Sequence, residues 1–332
     1  MRVVETPEML ESMLLEHWNV RAVHLQALSS GHTNKTYRVH HVARAAILRV
    51  SWPGKTLAQI EREAMMLTHL SSRPHLPALP RLLPTLSGQP GAQAAYGGWL
   101  HLFESIDGEP GMPDDARRAA IVAMRTLAQL HAAMATLRAH DASPVAWLQA
   151  RHARVAARQT PDLNAALLPQ YSPLMACMEA LLAQAAEWVD DPAQWLHGDY
   201  HAGNLLFEGQ MLAGVIDFDD VGQGSRWLEA AFALFALSRD ASVEDRFVFD
   251  ESIWRAGLEA YAGTSAEEPP GWLRARSVAL MRLFCTDQVL IHLEAAQRGL
   301  WSAGPGMGFL ACWRELLGTA TRSDAPVGVA QK

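Results

Sequence analysis

The sequence predicts an α+β fold of two lobes: a small N-terminal lobe built on an antiparallel sheet and a larger, mainly helical C-terminal lobe. Three observations carry this. Short apolar runs separated by turn residues fill the chain up to Phe103. Helical spacing of apolar residues dominates after the Asp107-Gly108-Glu109-Pro110 break, with one strand-like interruption at 195–217. A length of 332 residues, 49% of them hydrophobic, is enough for two lobes around a cleft, each with a filled core. The boundary is read at residue 103, giving lobes 1–103 and 104–332.

The N-terminal elements follow in order. Thr6-Pro7-Glu8 opens a helix running to Trp18, with Thr6 as N-cap and Pro7 at the first helical position. Val23 to Leu28 and Thr36 to Val42 read as strands around a turn containing Gly31. Ala45 to Ser51 is a third strand, ended by Trp52-Pro53-Gly54, and Leu57 to Leu70 is helical. Pro74, Pro77, Pro80 and Pro84 mark an irregular stretch, and two further strands flank Gly88 to Gly97, the second being Trp99 to Phe103.

In the C-terminal lobe, Ala116 to His140 forms a long amphipathic helix carrying Ile121, Met124, Leu127, Leu130 and Met134 at helical intervals. Helices recur at 146–158, 172–189, 226–239, 243–262, 271–299 and 306–320, and the tail after Thr321 reads as disordered.

The bulk numbers narrow the function. A net charge of −7 argues against a nucleic-acid partner. Cys177, Cys285 and Cys312 form no C-x-x-C pair, so neither a zinc site nor a disulfide framework is expected. They read as reduced thiols of a cytoplasmic protein. No signal peptide and no membrane-spanning run is expected, and the default assembly is a monomer or weak homodimer.

The chemistry concentrates in one stretch, Leu196-His197-Gly198-Asp199-Tyr200-His201-Ala202-Gly203-Asn204, followed by Ile216-Asp217-Phe218-Asp219-Asp220. Asp199 and Asn204 have the spacing of the kinase H-R-D-x-x-x-x-N loop. In phosphoryl transfer one carboxylate must face the acceptor hydroxyl, while an Asn and a second Asp hold the metal that binds the phosphates. Asp217 closes an apolar strand of Leu212, Val215 and Ile216, which would fix it as the second ligand beside Asn204. One amide and one carboxylate suit magnesium, which fills the rest of its shell with phosphate and water. Isolated, such residues would be turn carboxylates of a polar hairpin; the His-Gly-Asp prefix, the apolar strand after Asn204 and the strand-ending Asp217 together favour the catalytic reading. His197 is expected to bond backbone near Asp217 and hold the two loops together. His201 is either near the acceptor hydroxyl or a solvated turn residue. Asp219 and Asp220 would reach the metal through water or cap the next helix.

A second constellation lies in the N-terminal lobe. Ile60, Glu63, Leu67 and Leu70 share one helix face, so Glu63 sits on an apolar stripe and needs a cation. Ala46-Ile47-Leu48-Arg49 occupies the place of the kinase V-A-I-K strand, and Arg49 is the natural partner. The turn Ser29-Ser30-Gly31-His32-Thr33-Asn34 can cradle phosphates through backbone N–H groups and the side chains of Ser29, Ser30 and Asn34, although by itself it is an ordinary hairpin turn. Lys35 is a candidate second cation.

These motifs, with weaker matches at Ser30 to Asn34 and at Leu127-Ala128-Gln129-Leu130-His131, resemble the aminoglycoside phosphotransferase family. Its relatives include choline kinases, homoserine kinases of the same fold and bacterial stress-response Ser/Thr kinases. The resemblance implies a protein-kinase-like bilobal fold, ATP and Mg2+ as cofactors, Asp199 as catalytic base, and Asn204 and Asp217 as metal ligands. It also implies nucleotide contacts from Ser30, Gly31, Asn34, Arg49 and Glu63, an adenine slot with Ile47 as roof and Leu206 and Ile216 as floor, and backbone bonds from the Glu104 to Ile106 connection. The acceptor implied is a small-molecule hydroxyl, aminoglycoside-like, amino-alcohol or homoserine-like; a protein Ser/Thr, or a pseudokinase regulator, is the alternative. Asp287, His292, Glu294 and Trp301 are candidate acceptor walls, although each by itself reads as a solvated helix charge or a packed aromatic. The chain departs from protein kinases in having Gly198 before the catalytic Asp, no A-P-E motif and little chain between Asp217 and the helix near Arg226; Glu229 stands where the family often has Asp.

Overall fold

The computed structural model describes residues 6–22, 24–28, 34–40, 45–95, 97–140, 142–158, 171–243, 246–298 and 307–320. Ser29, Ser30, Gly31, Trp301 and the tail after Thr321, all named above, lie outside them. The fold groups into two compact units: Met1–Asp114 with His197–Val221, and Asp115–Leu196 with Gly222–Lys332. Relative to a boundary at residue 103, this grouping puts 104–114 and the catalytic segment with the N-terminal residues.

The first unit opens with α1 (Pro7–Trp18), where Thr6 accepts from the Met9 N–H and Asn19 ends the helix in the left-handed region at φ 54°. β1 (His24–Ala27), β2 (Lys35–His40), β3 (Ala45–Val50), β4 (Leu82–Leu83), β5 (Ala92–Gln93) and β6 (Trp99–Glu104) follow, with α2 (Leu57–Leu70) after β3. The strands form one antiparallel sheet in the order β1-β2-β3-β6-β4, and β5 also pairs with β6. Strand alternation then sorts the side chains. Ala46, Leu48 and Val50 of β3 and Leu100 and Leu102 of β6 bury against Leu10, Leu14 and Trp18 of α1. Burying each large apolar side chain is worth about 1.5–3 kcal/mol. Ile47 and Arg49 therefore face the other way, and the register places Phe103 opposite Ile47 and His101 opposite Arg49.

α2 begins at a capping box: Thr56 Oγ1 accepts from the Gln59 N–H, and Gln59 Oε1 accepts from the Thr56 N–H. Its buried stripe is Ile60, Glu63, Met66, Leu67 and Leu70. A smaller sheet joins β7 (Glu109–Pro110), β9 (Leu205–Glu208) and β10 (Met211–Val215) in the order β10-β9-β7. The proline-rich stretch contributes one parallel bridge to it, with the Ala78 N–H donating to Ala213 and the Val215 N–H to Ala78. Prolines around Ala78 supply no N–H, so pairing stops there.

The second unit holds α3 (Ala116–Met134), α4 (Ala146–Ala157), α5 (Tyr171–Trp188), α6 (Arg226–Ser238), α7 (Glu251–Ser265), α8 (Gly271–Ala275), α9 (Ser277–Gln297) and α10 (Met307–Ala320). β8 (Ala193–Leu196) and β11 (Gly222–Ser225) form a two-stranded antiparallel pair. Gly257 lets α7 approach its neighbours: a Cβ there would sit 2.5 Å from Leu234 Cδ2 and 3.1 Å from Met124 Cγ. Inside, His131 Nε2 bonds Glu229 Oε2 at 2.6 Å and His131 Nδ1 bonds the Tyr261 hydroxyl at 2.6 Å. Glu229, standing where the family often has Asp, thus joins α6 to α3 through His131.

The α+β class holds. Three helix limits differ from expectation. α3 stops at Met134 rather than His140, where the Thr136 hydroxyl turns back onto the Ala133 carbonyl at 2.7 Å. The helix expected from 243 starts at Glu251, because Asp250 caps it through the Ser252 and Ile253 N–H groups and Phe249 is extended against Arg239. The long 271–299 helix is broken at Arg276, φ −116° and ψ 30°, into α8 and α9.

Candidate active site

The catalytic segment is held by its own polar groups. His201 caps the 3-10 turn Ala202–Asn204 by accepting the Gly203 N–H on Nδ1 at 3.0 Å. That turn presents Asn204, whose amide nitrogen donates to the Asp199 carbonyl at 2.8 Å and to Asp199 Oδ2 at 3.1 Å. Both amide protons go to Asp199, so the amide oxygen is turned to the other branch of the fork as an acceptor. His201 Nε2 stands 3.4 Å from Asp199 Oδ2, and that carboxylate raises the imidazole above its ordinary pKa, against the opposing effect of burial.

His197 does what the sequence suggested. Fully buried, its Nε2 donates to the Ile216 carbonyl at 3.1 Å while its Nδ1 accepts the Asp199 N–H at 3.3 Å. One imidazole, in one tautomer, therefore spans the loop of Asp199 and the strand that delivers Asp217. The Ile216 N–H donating to the Asn204 carbonyl at 2.9 Å adds a second tie. Gly198 is required by the same closeness. Its φ is +87°, and a Cβ would lie 2.0 Å from the Asp220 carbonyl oxygen. This is why an arginine has no place before Asp199 here.

Asp217 itself adopts φ +64°, an uncommon conformation for a non-glycine residue and costly by about 1–2 kcal/mol. The turn aims its carboxylate at Arg49, with Nη1 to Oδ1 at 3.2 Å. Burial raises the Asp217 carboxyl above the usual range, with Arg49 opposing and Asp199 and Glu63 adding.

Arg49 is the hub. Its Nη2 pairs with buried Glu63 and bonds His101 Nδ1 at 3.1 Å, and its guanidinium lies over the Phe103 ring at 5.1 Å. Strand 3 and α2 thus exchange the ion pair that the apolar stripe demanded. Burial pushes Glu63 up, but Arg49 and Lys55 more than offset it and hold the carboxyl at about 2. Burial and Arg49 drive His101 well below its ordinary value, so it is the neutral acceptor for Arg49. Lys55, also buried, has Nζ 3.6 Å from Glu63 Oε2 and forms an ion pair with Asp219. Burial and Arg49 lower its ammonium to about 8, which leaves it charged at neutral pH.

Several expected positions read differently in detail. Asn34 Nδ2 donates to Asp219 Oδ2 at 3.1 Å, while its Oδ1 is buried with no hydrogen-bond partner among the described residues. Asp219 does not cap the next helix: Ser225 does, accepting the Leu228 N–H at 3.0 Å. Lys35 is exposed and stands opposite Val50, on the sheet face away from Arg49, so the second cation beside Glu63 is Lys55. Ile47, Ile106 and Ile216 are half-buried and Leu206 is buried, with Ile106 against Gly214 and Leu206 against Gly108. Glu104 pairs its carboxylate with Arg81 at 3.2 Å, and its N–H donates to the Arg81 carbonyl. Three of the four candidate acceptor walls lie among the described residues. Asp287 is buried in an ion pair with Arg151, Glu294 is buried between Arg154 and Arg298, and His292 bonds the Gln288 carbonyl at 2.7 Å. Both carboxylates are thus engaged by arginines inside the second unit.

The residues can perform one kind of chemistry well: a carboxylate for a hydroxyl, hard oxygens for a divalent ion, and a guanidinium for anionic oxygens. The profile of the phosphotransferase enzyme family matches residues 24–276. The chain belongs to the phosphotransferase enzyme family. A search of curated proteins gives no match. Among solved structures, this phosphotransferase is similar to a microcompartment-associated aminopropanol kinase, 19% identical, with a TM-score of 0.60 over 96% of this chain and 100% of that one. An amicoumacin kinase solved with AMP-PNP and Ca2+ is 14% identical, with a TM-score of 0.65 over 97% of this chain and 96% of that one. A choline kinase from Cryptosporidium parvum Iowa II is 13% identical, with a TM-score of 0.55 over 96% of this chain and 98% of that one. The fold of the phosphotransferase is that of these enzymes, and its family's reaction class is phosphoryl transfer. Among the described residues no helix is long and apolar enough to cross a membrane.

Sequence reasoning about the phosphotransferase site missed Lys55, His101 and the Asn34–Asp219 bond. His101 was within reach, since it alternates with Phe103 on the strand beside Arg49. Lys55 follows Pro53-Gly54 and reads as an exposed turn residue until the fold buries it.

Proposed function

We propose that this phosphotransferase moves the γ-phosphate of ATP to a hydroxyl of a small amine-bearing molecule, in the class of amino alcohols, aminoglycosides or homoserine. The observation that carries the proposal is the coupling of Asp199 to Asn204 and, through His197, to the strand of Asp217. It gathers a base and two metal-type oxygens beside the Arg49–Glu63 pair.

In this reading Asp199 orients the acceptor hydroxyl and takes its proton. The Asp217 carboxylate and the Asn204 amide oxygen would hold Mg2+, and the fit is chemical: both are hard oxygens, and Asn204 has spent its protons on Asp199. Bound there, the ion supplies charge neutralisation for the transferring phosphoryl group. Arg49 positions phosphate oxygens while Glu63 orients it. Ser30, Gly31 and Asn34 supply further phosphate contacts, Ile47, Leu206 and Ile216 enclose the adenine, and Glu104 and Ile106 meet its edge. We assign nucleotide binding to residues 1–103 and catalysis with acceptor binding to 104–332. The relative solved with AMP-PNP supports ATP as donor, and relatives named as aminopropanol and choline kinases support a small amino alcohol as acceptor. One turn and the short β11 separate Asp217 from α6, which leaves little chain for a peptide platform. An ATP donor and three free cysteines fit a cytoplasmic location.

The test is ATP turnover against a panel of amino alcohols, aminoglycosides, homoserine and generic protein substrates, run beside Asp199→Ala. Turnover with one of the small amines, reduced on the order of 10²–10⁴-fold in the variant, is expected. Undiminished activity of Asp199→Ala would remove the base assignment, and phosphorylation of protein alone would overturn the acceptor class.

A further inference from the structure

Lys55 is a buried lysine that the scheme above leaves without a task. It lies between the end of β3 and the N-cap of α2, and its ammonium meets two carboxylates, Glu63 and Asp219. Asp219 is two residues past Asp217 and is bonded on its other oxygen by Asn34. Two cations, Arg49 and Lys55, thus face three carboxylates, Glu63, Asp217 and Asp219. Among the described residues, the next cation to Asp219 is Arg49, whose Nη2 is 3.6 Å from Asp219 Oδ1. Without the lysine, Asp219 would compete with Asp217 and Glu63 for that one guanidinium. Coulomb attraction in a buried site is strong enough to turn it.

We infer that Lys55 is a positioning residue for the phosphate side of this active site: by holding Asp219 and Glu63, it lets Arg49 keep one guanidinium branch on Asp217. Arg49 occupies the place of the kinase lysine, and Lys55 completes the charge balance that its larger fork, shared among three acids, does not close alone. The inference rests on the phosphotransferase reading.

The experiment measures binding of MgATP and of adenosine by calorimetry for the full chain, its Lys55→Met and Lys55→Arg variants, and the double variant Lys55→Met with Asp219→Asn. Lys55→Met should weaken MgATP by about tenfold or more while adenosine, which has no phosphates, binds within about twofold of wild type. Lys55→Arg should restore most of the MgATP affinity. The double variant removes the stranded acid together with its partner, so it should fold and bind MgATP close to wild type. If Lys55→Met does not fold, the double variant decides. Wild-type MgATP affinity there supports the inference; weak MgATP binding with normal adenosine binding means Lys55 acts on phosphate directly and overturns it. MgATP affinity unchanged in Lys55→Met, or equal loss of both probes, also overturns it. A wild-type chain that binds neither probe overturns the phosphotransferase reading itself.

Discussion

Arg49 donates to Asp217 at 3.2 Å across 168 positions of sequence. The strand residue that pairs with Glu63 is therefore the same residue that meets the acid at the end of β10. A change at either end is felt at both, and this coupling shapes what each substitution should do.

Asp217→Ala removes the carboxylate proposed to hold the metal and frees one Arg49 branch. Wild-type ATP affinity should rise when Mg2+ is added, and the variant's should not. Turnover should fall by 10²-fold or more, roughly 3 kcal/mol of barrier. Titration of ATP with and without EDTA reads this; a variant that still gains affinity from Mg2+ would take Asp217 out of the metal site.

His197→Leu leaves the Asp199 N–H and the Ile216 carbonyl without their shared partner. Each unsatisfied group costs about 1–3 kcal/mol. The melting temperature should drop by several degrees, and kcat should fall more than the KM for ATP rises, because the tie orients Asp199 rather than the nucleotide. Calorimetry and steady-state kinetics together check it; a kcat equal to wild type would reduce His197 to a packing residue.

Gly198→Ala and Gly209→Ala make a matched pair. Both glycines have positive φ, at 87° and 58°, but a Cβ at Gly198 would strike the Asp220 carbonyl oxygen at 2.0 Å, whereas one at Gly209 meets nothing within 4 Å among the described residues. The Gly209 variant should lose about 1 kcal/mol, from backbone strain alone, and the Gly198 variant at least about 2 kcal/mol together with most activity. Urea unfolding of the two variants gives the comparison, and equal losses would contradict it.

Glu63 sets an acid limit. Burial raises its carboxyl, yet Arg49 and Lys55 hold it at about 2, below its unfolded value of about 4.3. The unfolded chain therefore binds the proton first, so this contribution to stability is complete above pH 4.3 and fades as pH falls toward 2. It amounts to a few kcal/mol. Glu63→Gln should start less stable at neutral pH, because two cations lose their partner, and should lack this part of the acid decline. Melting temperatures between pH 2 and 6 for both proteins would show the difference, and parallel curves would exclude Glu63 as the source.

The parts legible in sequence were those set by local rules. Thr6 with Pro7 and the Thr56–Gln59 box fixed two helix starts, and a carboxylate on the apolar stripe of α2 announced its need for Arg49. His197 could be assigned as a tie because a histidine two residues before Asp199 has backbone within reach. What stayed hidden depends on contacts distant in sequence. Nothing near Lys55 signals burial, since its partners are supplied by α2 and by residue 219. Asp287 and Glu294 look like solvated helix charges until α4 brings Arg151 and Arg154 against them. Arg276 breaks the expected 271–299 helix with no glycine or proline at the break to announce it.

Leu196 and Gly222 face each other on the β8–β11 ladder, and the whole stretch between them packs with the first unit. The chemistry-bearing segment thus leaves and re-enters the helical unit at a single rung. Such a segment is tethered at one stem, so a slip in that single pairing would shift both of its ends together.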